Sequence, residues 1–102
     1  MTKFLITYEG AMEMPPTPEA REQMMSAFGA WVGEVGEHMV DPGAPLGASR
    51  AVTSDGDTEE RSAIGGYTVV DADSLDEAVG LVRNHPFLKR GGTLRVSESV
   101  AP

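Results

Sequence analysis

The chain has 102 residues, 40% of them hydrophobic, and a formal net charge of −8 from 16 acidic and 8 basic side chains. This is enough apolar material for one modest core, so we expect a single domain over residues 1–102. The acidic balance argues against nucleic-acid binding, because phosphate backbones repel such a surface. The absence of cysteine excludes disulfides, thiolate metal sites and a cysteine nucleophile.

The N-terminal sequence MTKFLITYEG has an apolar run too short for a signal peptide or a membrane span. We therefore expect a cytoplasmic protein that does not associate with membranes. The acidic stretch DGDTEE lacks the ligand spacing of a calcium loop and predicts a polar turn. No other metal-ligand spacing or phosphate-binding glycine loop is present, so no metal and no cofactor are predicted.

The first half of the chain predicts a strand followed by a helix. Side chains alternate in KFLITYE with the period of a strand, near residues 2–9. Thr17 followed by Pro18 is typical of a helix start. Apolar residues then follow at helical spacing over about residues 18–39, and they include Trp31, which we expect in the core. The segment DPGAPLG should end this helix.

The second half predicts three strands and a helix. The strands are expected near residues 49–54, 62–70 and 92–98, and the helix over 74–84. The strand SAIGGYTVV has apolar residues on both faces, which suits a central position. Ser74 and Glu77 form a capping-box pattern at the start of the helix, and Pro86 ends it.

The element order β-α-β-β-α-β in about 100 residues indicates an α+β, ferredoxin-like split βαβ fold. Such a fold has a four-stranded antiparallel sheet with both helices on one face. Leu5, Val52 and either Val69 or Val70 cannot all lie beneath two helices. We therefore expect a homodimer in which a second subunit covers the other sheet face.

Four segments resemble the YCII-related (DGPF-type) family: FLITYEG, the tryptophan helix, GGYTVVDADSLDEAVGLVRNHPF and GGTLRVSE. The match runs in order over nearly the whole chain, and GGYTVVDADSLDEA is its most specific part. The resemblance implies a dimeric ferredoxin-like α/β barrel, usually small, bacterial and cytoplasmic. It implies no particular activity, because most members have none assigned.

The resemblance also implies, for some members, a catalytic His–Asp pair that this chain does not retain. The histidine belongs to an R-x-x-H pattern early in the first helix, where this chain has Arg21 and no histidine after it. The aspartate belongs to a DPF-like motif after the second helix, where this chain reads HPF with His85. The DGPF stretch is absent as well, so the pair cannot be carried over.

His85 is the main candidate for a site. It should lie at the C-terminus of the second helix, where the helix dipole favours a protonated imidazole that could bind a carboxylate. His38 should lie at the opposite end of the sheet.

The topology brings several polar residues to the end that holds His85. The catalytic candidates are His85, Glu9 and Glu13, and the ligand-binding candidates are His85, Tyr8 and Arg21. Simple helix termination and solvated loops also explain the same residues.

Three functions fit these observations. The first is a dimer that binds a small molecule at the His85 end without strong catalysis. The second is a weak, hydrolase-like enzyme that uses His85 and a carboxylate. The third is an accessory partner of another enzyme.

Overall fold

The computed structural model describes residues 1–10, 15–58 and 62–100. The elements in chain order are β1 (Thr2–Glu9), α1 (Pro18–Val35), a 3-10 turn (Gly36–His38), β2 (Met39–Pro45), β3 (Ala51–Thr53), β4 (Gly56–Thr58), β5 (Ile64–Ala72), α2 (Leu75–Val82), α3 (Pro86–Lys89) and β6 (Thr93–Glu98). Strands β2, β5, β1 and β6 form an antiparallel sheet in that order. The predicted ferredoxin-like α+β fold is confirmed. No helix in the described ranges is long and apolar enough to cross a membrane.

The second strand of the sheet is not the one predicted near residues 49–54. That segment supplies β3, which pairs with β4 in a separate two-stranded hairpin. The place in the main sheet belongs to β2, whose sequence is MVDPGAP. Its two prolines cannot donate ladder hydrogen bonds, and they are tolerated because β2 is an edge strand. Its pairing with β5 is also irregular, with two shifts of register.

The core lies between the helices and one face of the sheet. Alternate side chains of β1 and β5 point into it, as the pleat of a strand requires. The buried core residues are Phe4, Ile6, Tyr8, Trp31, Val35, Val70, Ala72, Ala78, Val82 and Phe87. Trp31 is 2% exposed, and its indole N–H donates to the Leu81 carbonyl at 2.9 Å. The prediction that Trp31 is a core residue is confirmed.

The helix-free face of the sheet carries part of the apolar surplus that the sequence predicts. Leu5 and Val69 are opposite each other in the β1–β5 register, and Leu5 is 42% exposed. Val70 does not contribute, because its side chain is fully buried beneath the helices. Val52 does not contribute either, since it lies in the β3–β4 hairpin.

Candidate ligand-binding site

His85 lies at the start of α3 and not, as predicted, at the end of a helix. Helix α2 already ends at Val82, and Pro86 occupies the first position of α3. The Nδ1 atom of His85 accepts a hydrogen bond from the Phe87 N–H at 3.0 Å, so the imidazole caps this short helix. The helix dipole at that end disfavours a positive charge, which reverses the argument for a protonated ring.

A continuous chain of hydrogen bonds, buried except at its Pro42 end, runs from His85 into the sheet. The Tyr8 hydroxyl lies 2.6 Å from His85 Nε2 and 2.9 Å from the Thr68 hydroxyl oxygen. The Thr68 hydroxyl donates to the Pro42 carbonyl at 2.8 Å. The chain thus joins α3, β1, β5 and β2, and His85 and Thr68 are 2% and 0% exposed.

The donors and acceptors of this chain allow one direction only. The Pro42 carbonyl can only accept, so Thr68 uses its single proton there and must accept from the Tyr8 hydroxyl. Tyr8 has then used its own proton and must accept from His85 Nε2. His85 is therefore the neutral tautomer with its proton on Nε2, which agrees with the acceptor role of its Nδ1.

Burial, together with the smaller effect of the nearby positive charge of Arg90, lowers the pKa of His85 to about 4. Burial also raises the pKa of the Tyr8 hydroxyl above its usual value, against a smaller opposing effect of the bond to Thr68. Both groups are neutral near pH 7. The expectation of a protonated His85 is wrong, because the imidazole lies in the core, with the Trp31 ring centroid 4.3 Å away.

Strand β2 reaches Thr68 because Gly43 lets the two strands approach closely. A Cβ atom at position 43 would lie 1.7 Å from the Tyr67 carbonyl oxygen, and the backbone there has a φ of +77°. Only glycine fits both conditions without strain. The neighbouring carbonyl of Pro42 is thereby held against the Thr68 hydroxyl.

A cavity of about 240 Å³ lies beside Tyr8 and His85, between α1, β2, β5 and α3. Its lining is mostly apolar. The lining residues are Tyr8, Met24, Met25, Phe28, Pro42, Gly43, Ala44, Pro45, Gly66, Tyr67, His85, Pro86, Phe87 and Arg90. A largely apolar cavity with a few polar side chains is the usual form of a small-molecule site.

The structure brings together only some of the residues that the sequence singles out. Tyr8 and His85 are in contact and both line the cavity. Glu9 forms an ion pair with Arg95 instead of joining His85, since successive side chains of a strand point to opposite faces. Arg21 is exposed, donates to the Pro15 carbonyl and does not line the cavity. Glu13 lies outside the described residues.

Sequence reasoning missed the roles of Thr68, Pro42 and Arg90. Thr68 did carry a signal, because a hydroxyl within the apolar strand sequence YTVV needs a buried partner. Pro42 carried none, since its segment does not look like a strand. Arg90 did carry a signal, because it lies just beyond His85 in the chain and so near the same end of the sheet.

His38 lies in a separate polar cluster at the other end of the sheet. Its Nδ1 atom lies 2.9 Å from the backbone carbonyl of Asp71, 3.4 Å from the Asp71 carboxylate and 3.9 Å from that of Glu77. Asp71 pairs with Lys3 near the start of β1, whereas Tyr8 is near its end. The two histidines therefore do not meet. Within the described ranges, no three potential metal ligands are close enough to share an ion.

Comparison with known proteins identifies the family. The YCII-related domain matches residues 3–98. The chain belongs to the YCII-related family. No curated protein matches its sequence. One solved structure similar to this YCII-related chain is TftG, the 5-chloro-2-hydroxyhydroquinone dehydrochlorinase of Burkholderia phenoliruptrix, in complex with 2,5-dihydroxybenzoquinone. The two share 24% identity with a TM-score of 0.52, over 91% of this chain and 90% of TftG. This likeness supports the fold.

Proposed function

We propose that this YCII-related protein is a cytoplasmic homodimer that binds a small aromatic molecule in the cavity beside Tyr8 and His85. The observation that carries the proposal is the combination of an apolar cavity with a buried polar wall whose hydrogen bonds are all made. Such a wall has a fixed shape, and a preformed site binds without the cost of ordering its side chains.

The size of the cavity favours one ring. A protein cavity of about 150 Å³ is large enough to hold benzene, so about 240 Å³ accommodates a six-membered ring with one or two substituents. The aromatic and methionine side chains of the lining supply dispersion contacts to a flat ligand. TftG, which has a similar fold, holds the single ring of 2,5-dihydroxybenzoquinone, which is a molecule of this size.

Binding fits the state of His85 better than catalysis does. Both ring nitrogens are committed to hydrogen bonds, and a pKa of about 4 means that the imidazolium form, which would act as a general acid, is not populated near neutral pH. No carboxylate of the described residues lies within hydrogen-bond distance of the ring. The alternative of a hydrolase-like enzyme therefore depends on Glu13, and the alternative of an accessory protein depends on a partner enzyme.

The homodimer is part of the proposal because the helix-free sheet face carries Leu5 and Val69 without a covering layer of helices. A small domain gains stability when a second copy buries such a face. The cavity lies on the helical side of the sheet, so it stays open in this arrangement.

The proposal is tested by NMR titration with single-ring aromatic compounds, read at the resonances of Tyr8, Phe28 and His85. Ala44→Phe fills the cavity from β2, whereas Ala51→Phe makes the same change on the exposed hairpin. We expect binding by the wild-type protein and by Ala51→Phe, and none by Ala44→Phe. Equal binding by both variants, or no binding by the wild type, would contradict the proposal. Turnover of a ring compound that is lost in His85→Gln would favour the enzyme instead.

A further inference from the structure

Arg90 is a cation at the cavity that the described part of the protein leaves without a carboxylate partner. Its side chain is exposed and lines the cavity, and its guanidinium contacts only weakly interacting groups. One Nη1–H points to the Met24 sulfur at 3.1 Å, and the group lies 5.9 Å from the centre of the Phe87 ring. By contrast, Arg95 pairs with Glu9 and Arg50 pairs with Asp57. Among the arginines that the structure describes, Arg90 is the one that lines the cavity.

The Phe87 ring near the Arg90 guanidinium has a fixed position. Phe87 is 7% exposed, and its ring packs against Gly92, where a Cβ atom would lie 2.3 Å from a ring carbon. The Phe87 ring is therefore held in one position, and the Arg90 guanidinium can interact with the face of this ring. An arginine held in this way keeps its planar set of N–H donors available, and this set matches both oxygens of a carboxylate.

Tyr8 and His85, which form the buried polar wall of the cavity, offer an anion no free hydrogen-bond donor. The single proton on His85 Nε2 is used on Tyr8, and the Tyr8 proton is used on Thr68. A carboxylate placed against these groups would find no free donor from them and would lose its hydration. The anionic group of a ligand thus belongs at Arg90, with its apolar part directed inward, and not at His85 as the sequence suggested.

We infer that the cavity selects single-ring aromatic carboxylates, and that Arg90 is the residue that determines this specificity. The inference rests on the proposed function, since it names the ligand class of the same cavity. The carboxylate lies on the guanidinium in a charge-assisted, two-point contact, while the ring lies among Phe28, Met24 and Phe87.

Benzoate and benzamide distinguish the inference from the proposed function, because they have the same shape and differ in charge. Dissociation constants are measured by NMR titration or calorimetry on the wild-type protein, Arg90→Gln and Lys89→Gln. Lys89→Gln is the matched control, since it removes the adjacent positive charge from a residue that does not line the cavity. Circular dichroism and the melting temperature check that all three proteins fold alike.

We expect the wild-type protein and Lys89→Gln to bind benzoate about tenfold to a hundredfold more tightly than benzamide, which is the usual effect of one charge-assisted contact. Arg90→Gln should bind the two compounds equally. Equal affinities in the wild-type protein would overturn the inference and leave the proposed function standing. A preference for benzoate that survives Arg90→Gln would overturn the assignment to Arg90. If neither benzoate nor benzamide bound, the proposed function would be overturned, and the inference with it.

Discussion

The proton on His85 Nε2 is fixed by a carbonyl three hydrogen bonds away. Each group from Pro42 through Thr68 and Tyr8 to the imidazole has one way to satisfy its neighbour. Adding a second proton to Nδ1 would remove the acceptor of the Phe87 N–H and bury a positive charge. The residue therefore behaves as a neutral polar core group, and its charge becomes available only when the structure opens.

The free energy of unfolding of the protein should decrease as the pH is lowered from about 6.5 to about 4. In this window the unfolded state binds a proton at His85 and the folded state does not, so the free energy of unfolding rises with pH. The loss on acidification is at most about 3 kcal/mol from this group, since each pH unit contributes about 1.4 kcal/mol. Chemical denaturation from about pH 7 to about pH 4 measures it.

His85→Gln is the comparison that isolates the contribution, because glutamine keeps an N–H near Tyr8 and does not titrate. Its free energy of unfolding should change less steeply with pH than that of the wild-type protein, while His38 and all carboxylates remain in both. Parallel pH profiles for the two proteins would show that His85 titrates normally.

We expect Trp31 to contribute more to stability than an exposed residue of α1. Trp31→Ala removes a buried ring and the hydrogen bond to the Leu81 carbonyl, and we expect a loss of about 3–5 kcal/mol. Met25→Ala, on the same helix at a position 69% exposed, should change the stability little. The free energies of unfolding of both variants test this, and similar values would show that α1 packs less tightly than described.

Strand β2 is the element whose position depends most on the buried chain of hydrogen bonds. Its pairing with β5 is interrupted twice, and the bond from Thr68 to Pro42 fastens its middle portion. A second hydrogen bond that holds this segment against β5 runs from the Leu46 N–H to the Gly65 carbonyl at 2.9 Å. Since β2 also forms a wall of the cavity, the shape of the candidate site depends on these two bonds.

Thr68→Val should loosen β2. Valine has the shape of threonine but leaves the Pro42 carbonyl without its donor and the Tyr8 hydroxyl proton without its acceptor, which costs about 1–3 kcal/mol. Amide hydrogen exchange should become faster in residues 40–46, with a smaller change in β1. Thr68→Ser keeps the hydroxyl and should retain slow exchange there. If valine and serine gave the same exchange pattern, the hydroxyl would not be what holds the strand.

Local sequence patterns were sufficient to predict elements such as β1 and α2. Alternation in KFLITYE specifies β1, and the Ser74 cap specifies the start of α2, where its hydroxyl accepts from the Glu77 N–H. Strand β2 could not be predicted, because prolines argue against a strand and its partner is β5, about 25 residues further along the chain. Topology placed Tyr8 and His85 at one end. It could not reveal the burial that neutralises His85, because this burial comes from the rings of α1.

At the scale of the whole molecule, the helix-free sheet face is the surface to test for self-association. We expect the wild-type protein to have twice the 10.8 kDa mass of one chain in light scattering at micromolar concentration. Leu5→Glu places a charge in the centre of this face and should give the mass of one chain. Val52→Glu makes a similar change at a hairpin position 81% exposed and should remain dimeric. A single-chain mass for the wild type would contradict the homodimer.

The inner strand β1 precedes both of its neighbours in the chain, and this affects how the protein is made. Every ladder bond of β1 joins it to β5 or β6, and its nearest partner, Ile64, follows Glu9 by about 55 residues. A ribosome therefore releases β1 long before either neighbour exists. Until β6 has emerged, Phe4 and Ile6 have no completed sheet in which to pack, and the nascent chain exposes them together with both edges of β1. The sheet is thus expected to be completed only after β6 has been synthesised.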